Sequence, residues 1–348
     1  MTSRAFIMGL LAFWLAAGLC PARAEAAPPR IKVMVLDGSS GPYHRWRVMT
    51  EVLVKELKET GLFDVSVVTA PGPGGDFSGF SPKWGDYRVV VMNYCLSAVP
   101  HCGPPGRWPD ALRDSFAKYV RDGGGVVIFH GADNAFADWD AYNEMIGVGG
   151  FGGQDRGAPH WYYKNGKLSS DKRAGPAGTH GARAPFQVVV RNINHPITKG
   201  LPLRWMHQGD ELYADLRGPG RNMTILATAY SNPANQGSGL DEPCLMVLRY
   251  GRGRVFHTTF GHDVLAQSSV DGIVTFQRGV EWAATGRVTQ KLPRPFPTND
   301  TVVFRSDIAA MDPNAPKGLD PLDRDMPAGR DRPGGAPSNP TTAPTVNR

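Results

Sequence analysis

The chain has 348 residues, 41% of them hydrophobic and 20% charged, enough to bury one large core or two smaller ones, so a wholly disordered chain is excluded. Thirty-eight basic against 32 acidic residues give a net charge of +6 with no Lys/Arg-rich tract, so nucleic acid is not an expected partner. Glycine (42) and proline (30) are abundant but aperiodic, which excludes collagen.

The first feature in chain order is Arg4 followed by the apolar stretch Ala5 to Leu19, which has signal-peptide length and is too short for a stable membrane span. Ala22-Arg23-Ala24 fits a small-x-small cleavage site, with Ala24-Glu25-Ala26 as a nearby alternative, so residues 1–24 are read as a signal peptide. Leu19, not a small residue, precedes Cys20, which argues against lipidation. The mature protein is expected to be exported, periplasmic or extracellular, and free of the membrane. Export permits disulfides; Cys95 and Cys102 either close a short loop or stay as buried thiols, and Cys244 is left over.

Strands and helices then alternate. Ile31 to Asp37 reads as a buried strand and Arg45 to Lys58 as a helix; Phe63 to Ala70 and Tyr87 to Tyr94 are further strands around a Pro/Gly-rich loop, 71–82. Pro109 to Arg121 is a helix stopped by Gly123-Gly124-Gly125, which releases the strand Val126 to His130. This alternation predicts a doubly wound, mostly parallel α/β sheet. After a short helix, 138–146, the stretch 147–185 has no clear period, the mark of a functional or mobile region. Phe186 to Arg191 and Met223 to Ala229 are strands, Cys244 to Tyr250 and Arg254 to Thr259 form a late β-hairpin, and Val270 to Thr285 is a closing helix. The main domain is thus placed at 25–290. The last 58 residues hold 11 of the 30 prolines and read as a tail, partly ordered at most.

Candidate chemistry collects at strand ends, where ligands bind in open α/β sheets. His130 ends a strand there; His44 precedes the first helix; His257 and Gly261-His262-Asp263 lie at the end of the late hairpin. Asp263 suits a carboxylate that orients an imidazole, if the two side chains turn toward each other. Asp210-Glu211-x-Tyr213 places two carboxylates and a phenol in a loop or short turn, suited to acid/base work or to sugar hydroxyls, with a helix N-terminal turn as the other reading. Trp139 and His160-Trp161-Tyr162-Tyr163 offer faces that stack on sugars or pack a small core. Zinc or another divalent metal is an open option with His130 and His262 as candidates, although no diagnostic ligand spacing occurs. The serine-hydrolase elbow and the phosphate-binding loop are absent, and the glycine run 147–152 is set aside because no strong helix pattern follows it.

VVIFHGA (Val126 to Ala132), Asn194-His195-Pro196-Ile197-Thr198-Lys199-Gly200-Leu201-Pro202, Asp210-Glu211-Leu212-Tyr213, Gly251 to Asp263 and Arg278-Gly279-Val280-Glu281-Trp282-Ala283 together resemble the ThuA-like trehalose-utilisation family, in matching order from Ile31 to Thr285. The resemblance implies a class I glutamine amidotransferase-like, flavodoxin-related fold. Amidotransferases of that superfamily carry a nucleophilic cysteine at a strand-to-helix elbow. Here His130-Gly131-Ala132 stands at that point, so glutaminase activity is not expected. The family link implies a carbohydrate substrate, trehalose or a related disaccharide, with 3-keto sugars among the candidates. Acid/base chemistry such as isomerisation or elimination would use His130, His262, Asp210 and Glu211, with His44, Trp139, His160, Tyr213, His257 and Asp263 shaping the pocket. The rival expectations are a non-catalytic carbohydrate-binding protein and a metal-dependent hydrolase.

Overall fold

Short, continuous apolar runs such as Val-Met-Val-Leu and Val-Val-Val-Met can be buried on both faces at once, which suits parallel strands between two helical layers. The computed structural model describes residues 29–312 apart from 42, 98–103, 153 and 155–156. The expected signal peptide, Cys102 and the stretch 313–348 lie outside the described residues. Cys95 is disulfide-bonded and Cys244 is a buried free thiol.

In chain order, β1 (Ile31–Asp37), α1 (Trp46–Glu59), β2 (Phe63–Thr69), β3 (Val89–Met92), α2 (Asp110–Arg121), β4 (Gly125–Phe129) and α3 (Asp140–Ile146) make the first half. The second half holds β5 (His160–Lys164), β6 (Lys167–Asp171), β7 (Thr179–His180), β8 (Ala184–Val190), β9 (Arg204–Asp210), β10 (Tyr213–Ala214) and β11 (Thr224–Tyr230). β12 (Asp241–Tyr250), β13 (Gly253–Thr258), α4 (Val264–Gln267), α5 (Val270–Thr285) and α6 (Ser306–Ala309) complete it. The main sheet runs β2-β1-β3-β4-β13-β12-β11-β8-β9. Its first five strands are parallel, and from β13 onward each neighbour is antiparallel. The β12–β13 pair is the hairpin expected around Gly251-Arg252-Gly253, while the hairpin β5–β6 and strands β7, β9 and β10 were not foreseen.

Alternate residues of the parallel strands feed two cores. Val33, Val35, Val127 and Phe129 face α1 and α5; Met34, Leu36, Val126 and Ile128 face α2 and α3. Gly279 on α5 permits a close approach of helix to sheet, because a Cβ there would lie 2.0 Å from the Phe256 ring. The segment after α5 packs back onto the domain. Leu292, Phe296, Val303 and Met311 join the α1/α5 core and Ile308 is fully buried, while Val270 N–H donates to the Val303 carbonyl (2.9 Å) and Met206 N–H to that of Thr298 (2.8 Å). Through Asp312, which pairs with Arg45, what the sequence reads as the start of a tail is a strap across β9, α5 and α1.

Candidate active site

β4 ends at Phe129, and the chain turns at once into a single 3-10 turn, His130–Asn134. His130 sits in the left-handed region at φ 41°, strained for a residue with a Cβ by roughly 1–3 kcal/mol, as functional elbows often are. Its Nδ1 lies 2.7 Å from the Thr259 carbonyl oxygen, so Nδ1 carries the proton and Nε2 keeps the lone pair. The Tyr213 hydroxyl, 2.8 Å away, donates to that Nε2.

His44 and His262 close a triangle with His130. The ring centres are 5.1 Å apart for His44 and His130, 4.9 Å for His44 and His262, and 5.5 Å for His130 and His262. His44 comes from the loop between β1 and α1, where its Nδ1–H donates to the Ser40 carbonyl at 3.1 Å. Among the described residues its other nitrogen, Nε2, is buried without a hydrogen-bond partner, and so is Nε2 of His262. His262 Nδ1 stands 3.0 Å from Glu211 Oε2, within ion-pair reach but badly angled for a hydrogen bond. Glu211 Oε2 is also 3.9 Å from His130 Nε2, while its buried Oε1 has no hydrogen-bond partner and only His180 Nε2 at 3.7 Å. Buried polar atoms of this kind call for a partner such as a water, an ion or a ligand.

Burial and ion pairing compete to set the charges here. Burial pushes His44 and His130 below the usual imidazole range, against some opposition from nearby carboxylates. Burial works the same way on His262, but the Glu211 carboxylate outweighs it and raises the imidazole to about 9. Glu211 is held well below the ordinary range, the surrounding imidazoles overcoming its desolvation. Burial keeps the Tyr213 hydroxyl protonated, far above its ordinary value.

Asp210, expected as a catalytic group, is committed elsewhere. It ends β9 rather than lying in a loop, and both its oxygens are occupied: Oδ1 accepts the backbone N–H of Glu211 (2.8 Å) and of His262 (3.1 Å). Oδ2 accepts Gly261 N–H at 2.7 Å and faces His207 Nε2 at 3.3 Å. Burial alone would raise its carboxyl, yet His207, His130 and these donors hold it well below the carboxylate range. Asp210 therefore clamps the β13–α4 turn that aims His262 at Glu211. A cleft lined by Ala184, Phe186, Leu212, Tyr230 and Asn235 reaches this clamp.

Four expected pocket residues lie elsewhere. Trp139 stacks on Tyr142 and packs against Phe136 and Trp108, because an indole is worth more buried in that aromatic cluster than at a polar pocket. His257 is fully buried with Nδ1 on the Ile146 carbonyl (2.9 Å) and Nε2 on Asp133 (3.2 Å), so both nitrogens are spent tying β13 to α3 and to the 130–134 turn. His160 belongs to a separate set with Glu242 (2.9 Å) and Asp215 (3.7 Å). Asp263 caps α4 through Ala266 N–H (2.9 Å) and pairs with Arg183, leaving Glu211 to face His262. His180, Arg183 and His207 went unnoticed in the sequence; each meets its carboxylate across a long stretch of chain or in an unpredicted strand, and no local spacing announces that.

A doubly wound sheet with an elbow after its fourth strand, and with histidine rather than cysteine at that elbow, defines a protein of class I glutamine amidotransferase-like fold. The family model for ThuA, trehalose utilisation, matches residues 32–283, and the chain belongs to that family. It is 41% identical to a ThuA-like protein from Parabacteroides merdae of known structure, over 80% of this chain and 99% of that one, with a TM-score of 0.75. A ThuA-like protein from Bacteroides uniformis, 20% identical over 77% of this chain and 96% of that one, shares the fold at a TM-score of 0.50. No curated protein matches the chain.

Proposed function

We propose that the protein acts on a keto sugar of the trehalose type by abstracting a proton beside the carbonyl. The observation that carries this reading is the buried Glu211 carboxylate, whose Oε1 has no hydrogen-bond partner, set among three imidazoles and the Tyr213 phenol. Membership of a trehalose-utilisation family supports the substrate class.

A 3-keto sugar is acidic at the carbons flanking its carbonyl, so a positioned carboxylate suffices as base. Glu211 Oε1 takes the proton from carbon 2; the C–H electron pair becomes a C=C bond, and the carbonyl oxygen takes the negative charge. The Tyr213 hydroxyl turns from His130 Nε2 to donate to that oxygen. Collapse of the enediolate then breaks the bond from carbon 1 to the glycosidic oxygen, which leaves with a proton, or returns the proton to carbon to isomerise the sugar.

Turnover of 3-keto-trehalose tests the reading. The wild type is expected to consume it and leave trehalose untouched, Glu211→Gln to lose about 10²–10⁴-fold in kcat, as for loss of a general base, and His160→Gln to stay within a few-fold of wild type. Binding without conversion by the wild type would favour a carbohydrate-binding role and contradict the proposal.

A further inference from the structure

We infer that His44, His130 and His262 form a three-histidine binding site for a divalent transition metal of the zinc class. One ring nitrogen of each lies within 4.8 Å of the others, and all three residues are buried. Each Nδ1 faces an oxygen: Ser40 carbonyl for His44, Thr259 carbonyl for His130, the Glu211 carboxylate for His262. A metal-binding histidine is characteristically held this way, with one ring nitrogen on a carbonyl or carboxylate and the other left for the ion. The nitrogens left over are three Nε2 atoms, two of which have no hydrogen-bond partner among the described residues.

The spacing agrees. Tetrahedral zinc at ~2.1 Å from each nitrogen sets imidazole centres about 5 Å apart, which is the size of the triangle of 4.9, 5.1 and 5.5 Å found here. Ligand nitrogens around such an ion are roughly 3.4 Å apart, so binding draws them together by about 1 Å, within the reach of small χ rotations. The second set, His160 with Asp215 and Glu242, differs in kind: it offers one imidazole rather than three, and its Glu242 oxygen is already taken by His160 Nε2 at 2.9 Å.

Three protein nitrogens leave a fourth position for water or a sugar oxygen, as in catalytic rather than structural zinc sites. Binding at His130 Nε2 also releases the Tyr213 hydroxyl, which then faces the substrate. Glu211 stays as base, its Oε2 toward His262 and its Oε1 free. The metal thereby deepens the proposed function by polarising the carbonyl, but the site itself rests on side-chain geometry and is tested without sugar.

The mature protein, stripped with a chelator, incubated with zinc chloride and desalted, is expected to keep about one zinc per chain by elemental analysis. His44→Gln and His262→Gln should bind zinc at least about 100-fold more weakly, whereas His160→Gln should keep it. Zinc should raise the Tm of the wild type and not that of His44→Gln, a readout that does not depend on how stable the variant is. Cobalt in place of zinc should give the visible d–d bands of a tetrahedral nitrogen site. Folded wild type that retains no zinc overturns the inference, as does zinc that survives in both site variants or leaves with His160→Gln. Zinc bound as expected, with 3-keto-trehalose unchanged, upholds the metal site and contradicts the sugar chemistry; turnover undiminished after complete chelation upholds the sugar chemistry and contradicts a part for the metal in it.

Discussion

At Gly131 a single missing methyl group sets the site. A Cβ there would lie 2.7 Å from Cε1 of His44, nearer than real Cβ contacts come, and the obstacle is a ring fixed by its bond to Ser40. Gly131→Ala should push that ring out of the triangle. Because displacement of an active-site group by about 1 Å can cost ~100-fold, a fall in kcat of at least ~10-fold is expected, with the circular dichroism spectrum unchanged. Unaltered kinetics would mean that His44 has no part in the site. His130, His262 and Glu211 were legible as single residues because strand ends and short polar motifs mark them. Their partners were not: Thr259 meets His130, and His180 meets Glu211, through the topology of the sheet, which no local spacing encodes. Trp139 and His257 misled for a physical reason, since an aromatic or imidazole near a strand end can be buried as readily as presented.

Strand β9 shows what periodicity misses. Trp205, His207 and Asp210 are all buried, but two of the three are polar and are stabilised by pairing rather than by burial, so Arg204–Asp210 does not read as a strand. His207 lies between Asp271 (2.8 Å) and Asp210 (3.3 Å), and Trp205 also donates to Asp271 (2.8 Å). Burial would lower the imidazole, but the two carboxylates override it and raise it from 6.5 to about 9. A histidine raised in this way stabilises the fold fully below pH 6.5, and that contribution is lost as pH climbs through about 9. The contribution is on the order of 3 kcal/mol. Wild-type Tm should therefore fall between pH 7 and pH 9.5, while His207→Gln should melt lower at pH 7 and lose less over the same range. Parallel loss in the two proteins would show that the pair does not set the alkaline limit. The central parallel strands β3 and β4 were legible for the opposite reason: apolar runs buried on both faces have no polar exceptions.

Across the whole molecule, the parallel half of the sheet supplies the elbow, and the antiparallel extension supplies the carboxylates that face it. His130 comes from β4, Glu211 and Tyr213 from the end of β9 and the start of β10, and His262 from the turn after β13. The strap through Asp312 braces this second half from outside, with Thr298 on β9 and Val303 on the start of α5. Its prolines read as a tail because composition registers backbone restriction, while the scattered Leu292, Phe296 and Ile308 that anchor it have no helical or strand period. The fold class and the family were therefore readable from the chain, whereas the enclosure of the site was a property of the assembled sheet. Among the described residues no helix is long and apolar enough to cross a membrane. The proposed function rests on Glu211 removing a proton from carbon in this enclosure. The direct measurement is proton NMR of 3-keto-trehalose in D2O with wild type and with Glu211→Gln. Deuterium entering beside the carbonyl with the wild type alone is the predicted result; a sugar that keeps its protons with the wild type, or exchanges them equally with both, would contradict the account.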